Sequence, residues 1–103
     1  MSVLMEFAMF PTDKGESVSD EVSRVIEMIR NSGYKYKLTA MGTIIETGTI
    51  TEALELVKNA YFILEKNSNR IYSTVKFDIR KNKENRLEGK IRSVEAKIGE
   101  VEK

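Results

Sequence analysis

From Ile71 to Arg80 the side chains alternate strictly in character. Ile71, Ser73, Val75, Phe77 and Ile79 occupy one parity, and Tyr72, Thr74, Lys76, Asp78 and Arg80 the other. A strand turns successive side chains to opposite faces, so this stretch reads as a β-strand with one largely apolar and one polar face. Such a strand belongs to a sheet covered on one side only, and the remaining elements must supply that cover.

They do so in a recognisable order. Val3 to Phe10 is apolar apart from Glu6 and is closed off by Pro11 and Gly15, which predicts a buried first strand. Ser17 followed by Asp20 resembles a capping box, and Val18, Val22, Val25, Ile26 and Ile29 then recur at helical spacing up to Gly33. Tyr36, Leu38 and Ala40 alternate with Lys35, Lys37 and Thr39. A β-branched run at Thr43, Ile44 and Ile45 follows, so two strands joined by a tight connection at Met41-Gly42 are expected. Thr49 and Glu52 form a second capping-box signature, heading a helix that runs to about Asn67. Beyond the loop after Arg80, Leu87, Ile91, Val94, Ile98 and Val101 step at heptad-like intervals, predicting a last helix with a narrow apolar seam.

This order is βαββαβ followed by one helix, and right-handed crossovers place the first two helices on one face of a four-stranded antiparallel sheet. The expected class is therefore α+β, a ferredoxin-like sandwich with an added C-terminal helix. A chain of 103 residues holds one such domain, spanning 1–103, with 86–103 as the terminal helix used in oligomerisation. On the opposite sheet face Leu4, Ala8 and Phe10 would mix with Glu6, Asp78 and other polar groups. Burial of that surface by further subunits, as a dimer or tetramer, is the economical expectation.

Composition narrows the chemistry. The chain has no histidine and no cysteine, which excludes histidine-based triads, cysteine nucleophiles, disulfides and the usual zinc sites. No catalytic residue, metal site or cofactor is expected. Lys and Arg number 17 against 16 Asp and Glu, so no global field draws the protein to nucleic acid or to an anionic membrane. No apolar run is long enough to span a bilayer, and the N-terminal residues carry no basic leader, so a cytoplasmic location is expected. Gly15 beside Lys14 reads as a turn glycine ahead of a phosphate site. The methionines, Met41 among them, read as core filler. Glu6, Glu46 and Asp78 offer acid-base or cation-binding groups, but pairing with Lys76 or Arg80 weighs more.

Three segments carry a further indication. MEFAMFPTDKGESVS at the start, TAMGTIIETG in the centre and KFDIRK late in the chain resemble the small thiamine-binding protein family, also known as the YkoF-like or DUF77 group. The resemblance implies a ferredoxin-like fold, assembly into dimers or tetramers, and binding of thiamine or its hydroxymethylpyrimidine moiety without turnover. It implies Met41, Gly42, Thr43 and Glu46 in the hairpin and Asp78 on the late strand as ligand-binding residues. Ala40 stands where many relatives carry proline, which leaves the start of the hairpin turn less rigid. An aminopyrimidine needs a carboxylate or carbonyl opposite its ring nitrogen and amino group, apolar walls, and a small residue for close backbone approach. Glu46, Met41 with Tyr36, and Gly42 are the groups expected to meet those needs. The rival expectation is a structural or regulatory homo-oligomer with no small-molecule ligand.

Overall fold

The computed structural model describes residues 1–15 and 18–103. Its elements are β1 (Ser2–Pro11), α1 (Ser19–Asn31), β2 (Lys35–Thr39), β3 (Gly42–Thr47), α2 (Ile50–Glu65), β4 (Ile71–Arg80) and α3 (Arg86–Ile98). The strands form one antiparallel sheet in the order β2-β3-β1-β4, the ferredoxin-like arrangement expected from the sequence. β4 spans the whole alternating segment, with Ile71 and Val75 half-buried but Phe77 and Ile79 exposed, and its register with β1 runs from Ser2 opposite Arg80 to Pro11 opposite Ile71.

Both central strands turn one parity inward. Val3, Met5, Phe7 and Met9 of β1 are buried, as are Thr43, Ile45 and Thr47 of β3. They meet Val25 and Ile29 of α1 and Ala53, Leu56, Ala60 and Leu64 of α2. Met5, Ile29, Ile45 and Leu64 are among the largest fully buried side chains, each stabilising the fold by roughly 1.5–3 kcal/mol through burial. Ala53 and Ala60 are fully buried on α2, where small side chains let the helix approach the sheet closely.

The ends of the helices are set by local chemistry. At α2 the Thr49 hydroxyl accepts from the Glu52 N–H at 3.1 Å while the Glu52 carboxylate accepts from the Thr49 N–H at 2.9 Å, completing the expected capping box. The Tyr34 hydroxyl also donates to Glu52, at 3.0 Å, and that bond leads the causes holding the Glu52 carboxyl below its ordinary range. The capping box read at Ser17 lies outside the described residues. Helix α3 stops at Ile98 because Gly99 takes a left-handed φ of 89°, so Val101 falls beyond the helix and the seam is shorter than its spacing implied.

The hairpin differs in detail from its prediction. Its turn residues are Ala40 and Met41, while Gly42 already belongs to β3 and pairs with Thr39. Neither turn residue has a positive φ. The turn is held instead by the Thr39 hydroxyl, which donates to the Gly42 carbonyl at 2.7 Å and accepts from the N–H groups of Met41 and Gly42 at 3.2 and 3.1 Å. Met41 is 86% exposed at the tip and does not fill the core, unlike buried Met5 and Met9.

Candidate functional site

Two regions at opposite ends of β3 concentrate the polar and apolar chemistry that the sequence singles out. Strand parity separates them. Thr43 stands opposite Phe7 and faces the helices, whereas Glu46 stands opposite Leu4 and faces the other side of the sheet.

At the hairpin end, α1 and the ends of β1, β2 and β3 enclose a cleft of about 210 Å³. Phe7, Leu38 and Ile26 contribute apolar wall, and Met41, Gly42 and Thr43 line it from the hairpin. Thr43 is 4% exposed and brings a hydroxyl able to donate and accept within this apolar wall. Gly42 makes the geometry possible: a Cβ there would lie 3.0 Å from the Phe7 carbonyl oxygen, so only glycine lets the hairpin settle against β1 without displacement. Tyr36, expected as a wall, does not line this cleft; it packs against the core further along β2.

At the other end the carboxylate of Glu46 is fully engaged. One oxygen accepts from the Ser2 hydroxyl at 2.6 Å and from the Arg86 N–H at 2.8 Å, and the other accepts from the Leu87 N–H at 3.0 Å. The first N–H groups of any helix lack intrahelical partners, and α3 has no side-chain cap of its own: Asn85 enters it in the left-handed conformation, φ 57°. Glu46 thus caps α3 from a strand far away in sequence. Burial pushes the Glu46 carboxyl up, but the hydrogen bonds from Ser2, Arg86 and Leu87, with the charge of Lys35, outweigh it and hold the group below the ordinary carboxylate range. Lys35 also donates to the Asn85 side chain at 2.5 Å.

Arg86 completes this network. It is 6% exposed; its Nε donates to the Ser2 hydroxyl at 3.3 Å, and its guanidinium pairs with the Asp78 carboxylate at 3.1 Å and donates to the Asp78 carbonyl. The pairing expected between Glu46 and Lys76 or Arg80 is therefore replaced: Lys76 pairs with Glu6 at 3.3 Å, directly across β1 and β4. Sequence reasoning missed Ser2 and Arg86 altogether. Asn85, just before Arg86, reads in sequence as an ordinary N-cap; only its left-handed backbone and a side chain that makes no cap hydrogen bond leave helix N–H groups for a distant acceptor.

The structure accordingly divides the residues expected to bind ligand. Met41, Gly42 and Thr43 share the hairpin cleft. Glu46 borders a separate open groove of about 400 Å³ with Lys35 and Asn85, and Asp78 borders a third, of about 230 Å³, with Arg80, Lys83 and Lys90.

With this geometry established, comparison with known proteins gives the class. The model of the family described as "Thiamine-binding protein" matches residues 5–95. The chain belongs to this thiamine-binding protein family, which also carries the names DUF77 and UPF0045. It is not a named enzyme family. Among its relatives, the UPF0045 protein MJ1052 of Methanocaldococcus jannaschii is 36% identical over 92 residues, covering 89% of this chain and 91% of that protein. A UPF0045 protein of Methanothermobacter thermautotrophicus is 34% identical over 83 residues, covering 80% and 84%. The crystal structure of MJ1052 superposes with a TM-score of 0.81 at 35% identity, over 90% of this chain and 95% of that one. A Thermotoga maritima protein provisionally assigned to thiamine biosynthesis or salvage shares the fold, with a TM-score of 0.78 at 22% identity over 91% and 99% of the two chains. Among the described residues no helix is long and apolar enough to cross a membrane.

Proposed function

We propose that this protein is a non-catalytic, cytoplasmic binding protein that takes the hydroxymethylpyrimidine ring of thiamine, free or within thiamine itself, into the hairpin cleft. The observation that carries this reading is the cleft's construction: an apolar slot with one nearly buried hydroxyl, at Thr43, and a glycine that brings two backbones together. Its volume, about 210 Å³, is below the roughly 300–1,000 Å³ of pockets for drug-sized ligands, and so suits one ring and not the whole of thiamine. In this reading the ring packs against Phe7, Leu38 and Met41, the Thr43 hydroxyl bonds a ring nitrogen or the exocyclic amine, and the thiazolium remains outside. Glu46 and Asp78 serve the protein by holding α3 on the sheet.

The same reading includes self-association as a dimer or tetramer. The seam of α3 supports it. Leu87 and Ile91 are half-buried on the sheet, while Val94 and Ile98 are 39% and 73% exposed. Isolated exposed apolar groups are ordinary, but an ordered row along one helix calls for a partner.

The direct test is a thermal-shift titration with thiamine, hydroxymethylpyrimidine and a thiazole control, coupled to light scattering. A ligand at one hundred times its dissociation constant should add about 2.7 kcal/mol of stability. Stabilisation by the two pyrimidine compounds and not by the thiazole is the expected result. No stabilisation by either, from an assembly larger than a monomer, would return the protein to the class of structural oligomers.

A further inference from the structure

Strand β4 ends at Arg80, and after a short loop α3 lies back over the sheet against β1 and β3. The end of β4, that loop and the first turns of α3 enclose a cleft of about 230 Å³, with Leu4 as its apolar wall. Arg86, Gly89, Lys90 and Ser93 line it together, because residues three, four and seven positions apart share one helix face. Arg80 reaches it from the strand and Lys83 from the loop.

Charge sets this cleft apart. Four cations, Arg80, Lys83, Arg86 and Lys90, line it against one carboxylate, Asp78, in a chain whose totals are 17 and 16. Asp78 is already matched by Arg86 at 3.1 Å. Among the described residues Arg80, Lys83 and Lys90 make no ion pair. On the other flank of α3, a cleft lined by Lys37, Arg92 and Lys103 is balanced internally: Arg92 pairs with Glu88 at 3.1 Å and Lys103 with Glu95 at 2.8 Å. Like charges gathered without counter-charges repel, and a bound anion relieves that repulsion.

Two further features distinguish the cleft from a solvated patch. Arg86 is 6% exposed and is held by the Ser2 hydroxyl and by the carbonyl and carboxylate of Asp78, so one of the cations is fixed in place. Each terminal nitrogen of its guanidinium carries two N–H groups, and those contacts leave one on each for a ligand. Gly89 sits in the middle of the lining helix face although glycine is a poor helix former, and a Cβ built there would meet nothing within 4 Å. No close packing calls for glycine at this position; its effect is to keep the cleft open. Ser93 donates its hydroxyl to the Gly89 carbonyl at 3.0 Å and is not counted among the ligand groups.

We propose that this cleft binds a dianionic oxyanion, the phosphate group, with Arg86 as the fixed donor and Arg80, Lys83 and Lys90 supplying the counter-charge. A guanidinium matches the oxygen geometry of phosphate, and lysines act on it as point charges. The volume is below that of pockets for drug-sized ligands and suits a phosphate group with little attached. Asp78 and Leu4 stand opposite one another on the sheet face that carries Glu46, away from the hairpin cleft, so the proposal is independent of any pyrimidine bound there.

Calorimetric titration of the full chain with inorganic phosphate and with glycerol phosphate, at constant ionic strength made up with chloride, tests it. Wild type should bind saturably, one anion per chain. The double substitution Lys83→Gln and Lys90→Gln, at two exposed positions, should weaken binding about tenfold or more, as loss of charge-assisted contacts implies. Gly89→Gln should melt no lower than wild type, because glutamine is the better helix former, and should also lose about tenfold or more in affinity as its side chain occupies the cleft. Equal affinity for the two probes assigns the free ion, and tighter binding of glycerol phosphate assigns the phosphate of a larger ligand; either supports the site. Absence of saturable binding to both probes, or unchanged affinity in either variant, overturns it.

Discussion

At Gly42 and Thr43, β3 borders a largely apolar cleft that Thr39 also lines; at Glu46, further along the same strand, every carboxylate oxygen is already taken by Ser2, Arg86 or Leu87. The contrast separates two uses of a polar side chain in an apolar surface. A buried polar group without a partner is costly, so evolution either satisfies it internally or leaves it for a ligand that will. Glu46 belongs to the first kind: it ties β1, through Ser2, to the first turn of α3, whose Arg86 in turn pairs with Asp78 of β4. Thr43 lines the hairpin cleft instead, and in the proposed reading its hydroxyl is left for the ligand. The two ends should therefore fail differently when altered, one in stability and the other in binding.

The largest expected effect is at the satisfied end. Glu46→Gln replaces two charge-assisted acceptors by one neutral acceptor and turns an NH₂ group toward helix N–H donors. A loss of about 2 kcal/mol is expected, between the cost of a lost helix cap and of a lost hydrogen bond to a charged group, with melting lowered by roughly 10 °C. Ligand affinity should be unchanged. Chemical denaturation with calorimetry on the same preparation checks both halves.

Gly42→Ala comes next. The added Cβ would meet the Phe7 carbonyl at 3.0 Å, and the backbone on both sides must yield, costing about 1–2 kcal/mol as overpacking does. Here stability and affinity should fall together, because the displaced hairpin is also the cleft wall. A stable variant with full affinity would show that close approach at Gly42 has no part in the site.

Acidification gives a smaller effect. The Glu46 carboxyl is held below its ordinary value of 4.5, so its contribution is complete above that pH and drains away as pH falls through the lowered native value. Stability curves of wild type and Glu46→Gln should converge in that window. Asp13, Glu52 and Glu95 are also held low and leave both proteins with a common acid slope. Curves that stay parallel below pH 4.5 would contradict the role assigned to the carboxylate.

Much of the fold was legible because it rests on local pattern. The alternation over Ile71–Arg80 matched β4 residue for residue, and the Thr49 and Glu52 pair matched the start of α2. The site was legible only in part. Met41, Gly42 and Thr43 are consecutive, so a pattern read along the chain kept them together. Glu46 is also close in sequence, but three steps along a strand reverse the face, and the register with β1 carries it to Leu4 and Ser2. Its partners in α3 stand some forty positions later and are backbone groups, which leave no residue signature. The position of the turn was misread for a related reason: Thr39 closes it by side-chain bonds, without the glycine conformation that sequence rules look for.

The division of labour along β3 is tested most directly by titrating hydroxymethylpyrimidine and thiamine calorimetrically into wild type, Thr43→Val and Glu46→Gln. Valine keeps the size of threonine and removes only the hydroxyl, so Thr43→Val should melt close to wild type while its affinity for both compounds falls about tenfold, the worth of one hydrogen bond. Glu46→Gln should bind like wild type at any temperature where it remains folded. The reverse pattern, with affinity lost in Glu46→Gln and retained in Thr43→Val, would move the ligand to the opposite end of β3 and contradict the account.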